Sequence, residues 1–178
     1  EEILMTREDT GYMIGAKRSG NTKYTADLVK TITIMDTKTV PADAEASWDV
    51  SFDSGDKQVI AWVKPNATEP NKYDLYIGAD QTIILPTIAG ELFKGYTNCV
   101  SMTGINTMDM SRVEYAVGMF ANSDSLVNLN LTNVNLENAK ELQLMFYSSE
   151  KLELVILTGI DTTSAENMSG MFDGCTSL

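Results

Sequence analysis

Hydrophobic and polar residues follow two different rhythms along this chain. From residue 28 to residue 85 the rhythm is alternation in twos. It runs through Leu28-Val-Lys-Thr-Ile-Thr-Ile-Met35, Trp48-Asp-Val-Ser-Phe52, Val59-Ile-Ala-Trp-Val63, Tyr73-Asp-Leu-Tyr-Ile77 and Thr82-Ile-Ile-Leu85. Alternation of this kind predicts strands with one face inward. The turn Asp53-Ser-Gly-Asp-Lys57 would make a hairpin of the second and third segments. Lys64-Pro-Asn-Ala-Thr-Glu-Pro-Asn71 reads as a loop by its prolines. Upstream, Thr6-Arg-Glu-Asp9 has the form of a capping box and predicts a short helix toward Met13. Ala16 to Thr25 is polar and glycine-containing, hence a loop.

From residue 91 onward the rhythm lengthens. The pairs Leu92-Phe93, Met119-Phe120, Met145-Phe146 and Met171-Phe172 recur with their phenylalanines 27, 26 and 26 residues apart. The register extends beyond these pairs. Leu126, Leu129, Leu131, Val134, Ala139 and Leu142 meet Leu152, Val155, Leu157, Ile160, Ala165 and Met168 on a shift of 26. An earlier unit joins if it carries one extra residue near Thr103-Gly104. A period in the twenties predicts stacked units, each unable to bury its apolar edge until a neighbour covers it. Within a unit, Leu129-x-Leu131 and Val155-x-Leu157 read as short strands. Leu142, Met145 and Phe146 have the i, i+3, i+4 spacing of a short helical face, capped by Thr162 or Thr163-Ser164 in the next unit and ended by Gly174. The expectation is an α/β solenoid of parallel coils of about 26 residues over 91–178. A β-rich cap region over 1–90 precedes it, covers its first coil and packs on it without a flexible linker. The phenylalanines should stack in a file.

The stretch Leu157-Thr-Gly-Ile-Asp-Thr-Thr-Ser-Ala-Glu-Asn-Met-Ser-Gly-Met-Phe-Asp-Gly-Cys-Thr-Ser-Leu178 resembles the repeat of BspA-like leucine-rich-repeat surface proteins of bacteria. The Asp-Thr-x-Ser, Asn-Met-Ser and Met-Phe-x-Gly-Cys-x-Ser-Leu segments fall in the family's order. Leu126 to Tyr147 is similar but looser, with Asn135-Leu-Glu-Asn138 in place of Asp-Thr-Ser-Asn. Trp48 to Phe93 is similar to what precedes the repeats in some relatives, whereas residues 1–45 carry no motif of the family. The resemblance implies a leucine-rich-repeat fold, an extracellular or cell-surface location, and adhesion to host proteins or other bacteria.

Composition narrows the chemistry. The 178 residues are 43% apolar, and a chain of this length buries about 70% of its unfolded surface without staples. Thirteen basic against 25 acidic residues give a net charge of −12, which repels phosphate backbones and argues against nucleic acid as a partner. No run of eighteen apolar residues is present, so no membrane insertion is expected within this segment. Glu1-Glu2 has neither an initiator Met nor an apolar leader, as in a processed product. Leu178 occupies the first core position of a further unit, so the native protein is expected to continue, with a truncated solenoid here.

Histidine is absent, which removes the commonest general base and metal ligand. No nucleophile elbow, Walker loop or dinucleotide fingerprint occurs. Asp53-Ser-Gly-Asp56 does not meet the EF-hand pattern, and Asp49, Asp53 and Asp56 offer only the chance pairing of an acidic chain. Cys99 and Cys175 fall at different register positions and are expected reduced and buried. Trp48 and Trp62 read as core or cross-strand packing. No catalytic, cofactor-binding or metal-binding residue is expected, and the chain is not expected to be an enzyme.

The candidate site is the column flanking the core strand positions: Ser101 and Thr103 in one unit, Asn128 and Asn130 in the next, Leu154 and Ile156 in the third. Two apolar residues side by side where the register predicts exposure either pack against a further segment, sit in a strand of shifted register, or contact a protein partner; the family resemblance implies that such a partner lies on the host or bacterial surface. The sequence-level function is therefore protein binding through the repeat surface. The alternative is a structural spacer that presents another module and has no ligand of its own.

Overall fold

The computed structural model describes residues 2–7, 9–53 and 55–178. Its strands are β1 (Glu2–Ile3), β2 (Val29–Met35), β3 (Ala46–Asp49), β4 (Ile60–Pro65), β5 (Tyr73–Gly78), β6 (Ile83–Ile84), β7 (Ser101–Thr103), β8 (Asn128–Asn130) and β9 (Leu154–Ile156). The main sheet has the order β3-β4-β5-β2-β7. β3, β4 and β5 pair antiparallel, while β2 lies parallel to both β5 and β7. β1 pairs with β6 and β8 with β9, both parallel.

Alternation fixes the two faces of the sheet. Trp48, Ala61, Val63, Leu75, Ile77, Ile32 and Met102 are buried on the inner face and pair across neighbouring strands. Their neighbours Ser47, Lys64, Asp74, Thr31, Thr33, Ser101 and Thr103 therefore point to the other side. Trp62 also points outward, stacked on Tyr76 at 5.6 Å. It is nevertheless buried, because the chain after β2 crosses the sheet beside Gly78. A side chain at Gly78 would meet the Thr37 carbonyl at 2.0 Å, so only glycine fits there.

The lead-in region closes directly onto the repeats. Val100 N–H donates to the Lys30 carbonyl at 2.9 Å. The Tyr96 hydroxyl accepts from Ile14 N–H at 3.0 Å. The Arg7 guanidinium donates to the carbonyls of Asp9, Thr10, Tyr12 and Leu92 and lies over the Tyr96 ring. One hydrophobic cluster runs from Leu4 through Phe93 to Leu152. The expected capping box at Thr6–Asp9 includes Glu8, which lies outside the described residues. The helix expected after it is not formed: Asp9 Oδ1 accepts from Gly11 N–H, and Tyr12 bridges Thr25.

The repeats stack, though not as α/β coils. Phe93, Phe120, Phe146 and Phe172 form a file with ring centroids 5.5, 5.7 and 5.2 Å apart and planes within 7°. Three rows of four hydrogen bonds run beside it. Ala89, Glu91, Phe93 and Gly95 donate to the carbonyls of Tyr115, Val117, Met119 and Ala121. Ala116, Gly118, Phe120 and Asn122 donate to Glu141, Gln143, Met145 and Tyr147. Leu142, Leu144, Phe146 and Ser148 donate to Asn167, Ser169, Met171 and Asp173. All twelve bonds are 2.8–3.0 Å long and point from the earlier unit to the later one.

These rows overturn the expected fold class. Among the described residues there is no α-helix, only single 3₁₀ turns at Ala26–Leu28 and Ile105–Thr107. The fold is mostly β with a mixed main sheet. No α/β solenoid of leucine-rich-repeat-like parallel coils exists, because the strands break into separate sheets between β7 and β8 and no closed wall of coils forms. The physical reason lies two residues either side of each phenylalanine. Glu91 and Gly95, Gly118 and Asn122, Leu144 and Ser148, and Gly170 and Gly174 all have positive φ, between 55° and 78°. A right-handed helix cannot pass through such positions. The chain turns tightly instead, and its N–H groups find partners in the next unit. The i, i+3, i+4 apolar spacing at Leu142, Met145 and Phe146 serves this turn equally well. The expected caps at Thr162 and Thr163-Ser164 are replaced by side-chain turns, in which Asp109, Asn135 and Asp161 accept from the N–H groups of Ser111, Glu137 and Thr163.

Candidate functional site

The outer face of β7, β8 and β9 is built by the period of two. In β8, Leu129 is buried and its neighbours Asn128 and Asn130 are exposed. In β9, Leu154 is 49% exposed and Ile156 is half-buried. The parallel register sets Asn128 beside Leu154 and Asn130 beside Ile156, so these four side chains form one patch. Asn130 is held in place: its Oδ1 accepts from Thr132 N–H at 2.9 Å and from the Thr132 hydroxyl at 2.6 Å.

Ser101 and Thr103 sit on the neighbouring strand β7, half-buried and exposed respectively. Their Oγ and Oγ1 atoms lie 3.5 Å apart. They pair directly with Thr31 and Thr33 of β2 and approach β8 without a hydrogen-bonded ladder. The six expected residues are therefore adjacent, in two groups divided by the β7/β8 break. Thr31, Thr33, Asp74 and Tyr76 extend the same face beyond them. Asp74 accepts from the Thr31 hydroxyl at 2.8 Å and from the Asn66 amide at 2.9 Å. Sequence reasoning missed this extension. The signal was the polar alternation of Thr31 and Thr33, but nothing local says that β2 lies beside a strand seventy residues later.

This face offers hydroxyls, amides, the Asp74 carboxylate and an aliphatic pair. The carboxylates weighed earlier are placed elsewhere. Asp49 accepts from the N–H groups of Ser51, Gly55 and Lys57 and so shapes the hairpin turn. Burial pushes its carboxyl pKa up, but these hydrogen bonds outweigh it and hold the group below its ordinary value. Asp53 and Asp56 are exposed, and Ser54 between them lies outside the described residues. Among the described residues, no cluster of three or more His, Cys, Asp or Glu is arranged to hold a metal. Both cysteines are free. Cys99 is buried and its thiol is pushed up to about 12 by burial, whereas Cys175 is only partly covered and donates to the Phe146 carbonyl.

Among the hollows that lie away from the face, two are bordered by charged side chains near the lead-in region and the sheet ends. One of about 340 Å³ is bordered by Arg7, Asp9, Lys17 and Arg18. Arg7 and Arg18 are engaged with backbone carbonyls, and Lys17 pairs with Asp9 at 2.7 Å. The other, of about 520 Å³, is bordered by Asp36, Asp80 and Thr107 at the ends of β2 and β5. There Asp80 accepts from Lys38 N–H at 3.0 Å. Among the described residues, no helix is long and apolar enough to cross a membrane.

Comparison with known proteins places the repeat half in one family. No curated protein and no solved structure matches the chain significantly. Residues 89–178, half of the chain, match the profile described as "Mycoplasma protein of unknown function, DUF285", and the chain belongs to that family.

Proposed function

We propose that this protein is non-catalytic, acts at the bacterial cell surface or after secretion, and binds a partner protein through the outer face of β7, β8 and β9. The register carries the reading. Leu154 and Ile156 stand directly beside Asn128 and Asn130, so an aliphatic pair is framed by amides on one flank of a flat strand face. An apolar centre with a polar, hydrogen-bonding rim is the usual anatomy of a protein interface. Ser101 and Thr103 continue the rim. The resemblance of Leu157–Leu178 to BspA-like repeats supports an adhesive role and an extracellular location.

The test compares the chain with the double variant Leu154→Ser, Ile156→Ser in capture of extracellular-matrix, salivary and intestinal proteins. Capture by the variant should fall at least tenfold while its melting temperature stays within a few degrees. Equal capture by a folded variant removes this surface from the account. No capture by either protein leaves the spacer role as the better description.

A further inference from the structure

Positive charge is scarce in this chain and unevenly placed. Thirteen basic residues stand against 25 acidic ones overall. Around the hollow of about 340 Å³ in the lead-in region the balance reverses. Arg7, Lys17 and Arg18 border it with a single carboxylate among the described residues, that of Asp9. The other walls are apolar: Met5 and Met13 belong to the buried core, and Tyr12 lines the hollow with the Lys17 ammonium 5.3 Å from its ring centre.

The two guanidiniums are anchored by groups that carry no charge. Arg18 Nη2 donates to the Asp49 and Ser51 carbonyls at 3.3 and 3.0 Å. Arg7 holds the carbonyls of Asp9, Thr10, Tyr12 and Leu92. Backbone carbonyls orient a cation without cancelling its charge, so both positive centres are set in place before any ligand arrives. Arg18 also keeps its Nε–H and both Nη1 hydrogens without an acceptor among the described residues. The one carboxylate is already engaged, since Asp9 accepts from Gly11 N–H at 3.0 Å and pairs with Lys17 at 2.7 Å. Three cations against one anion leave the rim two charges positive in a molecule of net charge −12. A cleft lined by one sign of charge focuses the field and draws in the opposite sign.

We propose that this hollow binds a small organic acid. Its carboxylate would sit against Arg18 and Lys17, and its body would lie along Tyr12 and the two methionines. The volume suits one sugar ring or a dipeptide, because small-ligand sites begin at about 300 Å³. An acidic sugar and the C-terminus of a peptide both carry this chemistry, and separate probes distinguish them. The hollow lies in the lead-in region, away from the β7–β9 face, and the Leu154→Ser, Ile156→Ser variant should bind the acid as the parent does.

Glucuronate and glucose differ only in a carboxylate, and N-acetyl-dialanine differs from its C-terminal amide in the same way. Each is titrated into the intact chain at pH 7, at up to ~10 mM, where even a millimolar complex forms. Backbone amide shifts are read residue by residue. At least one acid should move the amides of Tyr12, Met13, Gly15, Lys17 and Arg18, with shifts at least tenfold smaller from its neutral counterpart. The acid that binds identifies the source. The Lys17 side chain is 56% exposed, so Lys17→Gln leaves the fold intact and should weaken binding about fivefold. Asp9→Asn should tighten it about fivefold, because Asn still accepts from Gly11 while the rival anion is gone. A purely structural Asp9–Lys17 pair gives no such gain. Equal shifts from acids and neutral counterparts, or no shifts in this segment from either acid, overturn the proposal. Unaltered affinity in both variants, with their amide spectra still those of the folded chain, overturns it as well.

Discussion

At the scale of single residues, backbone space decides more than side-chain chemistry. Gly78 has room for no side chain, since an added carbon would sit 2.0 Å from the Thr37 carbonyl and 3.0 Å from the Trp62 ring. Its φ is ordinary, so the cost of Gly78→Ala is steric. Overpacking against backbone typically costs about 1–3 kcal/mol or more, and a melting temperature about 5–10 °C lower is expected for a chain of this size. A thermal melt matching the parent's would show that the segment after β2 shifts freely. The left-handed positions were only partly legible. Gly95, Gly118, Gly170 and Gly174 announce them, yet Glu91 and Leu144 occupy the same register with φ of 59° and 58°. No local rule places a glutamate or leucine there; the neighbouring rows of hydrogen bonds impose it. Reading Leu142, Met145 and Phe146 as helical failed for the same reason, because apolar spacing alone does not report the sign of φ.

At the scale of elements, one arginine joins two parts of the molecule. Arg7 supplies four carbonyls, three in the lead-in loop and one at Leu92 in the first repeat row. Arg7→Ala leaves these carbonyls short of a charged donor and is expected to cost about 2–4 kcal/mol in urea unfolding, given about 1.5–3 kcal/mol for each hydrogen bond to a charged group and partial replacement by water. Arg7→Lys should recover little, because a single ammonium cannot span the fork. Amide exchange in residues 10–16 should quicken in both variants; a lysine variant with full stability would reduce Arg7 to a simple charge. The strands themselves were legible from alternation, with β2, β4 and β5 falling within a residue or two of expectation. Expected strand Trp48–Phe52 ends early, at Asp49, because that carboxylate turns to gather the hairpin's N–H groups. In the candidate site, the outward direction of Asn128, Asn130, Leu154 and Ile156 followed from the two-residue period. The break between β7 and β8, which sets Ser101 and Thr103 apart, had no sequence signature beyond the extra residue near Gly104.

At the scale of the whole molecule, charge sets how stability responds to pH, and two effects oppose each other. With a net charge of −12 and a sequence pI near 4.3, the folded chain repels itself at neutral pH. Partial protonation of its carboxylates on the way down relieves that strain. Against this stand carboxylates held below their ordinary value by native partners. Glu45 is so held by the Lys23 ammonium and the Tyr24 and Tyr73 hydroxyls, and Asp109 by Ser111. A group whose folded pKa is depressed contributes stability that is complete above the unfolded value of about 4 and is lost as pH falls through the folded value. Asp124 works the other way: burial, with Glu150 nearby, raises its pKa, so protonating it favours the native state. Lys23, Lys17 and Lys140 are raised by their partners, and what they contribute is lost only in strong alkali. The melting temperature should therefore climb by a few degrees from pH 8 to about 5, then drop below about 4. Replacing Glu45 by Gln should flatten the acid limb without moving the neutral one upward, because the ion pair with Lys23 is then absent at every pH. An acid limb as steep in Glu45→Gln as in the parent would show that self-repulsion of the positive chain, and not the loss of this cluster, drives acid unfolding.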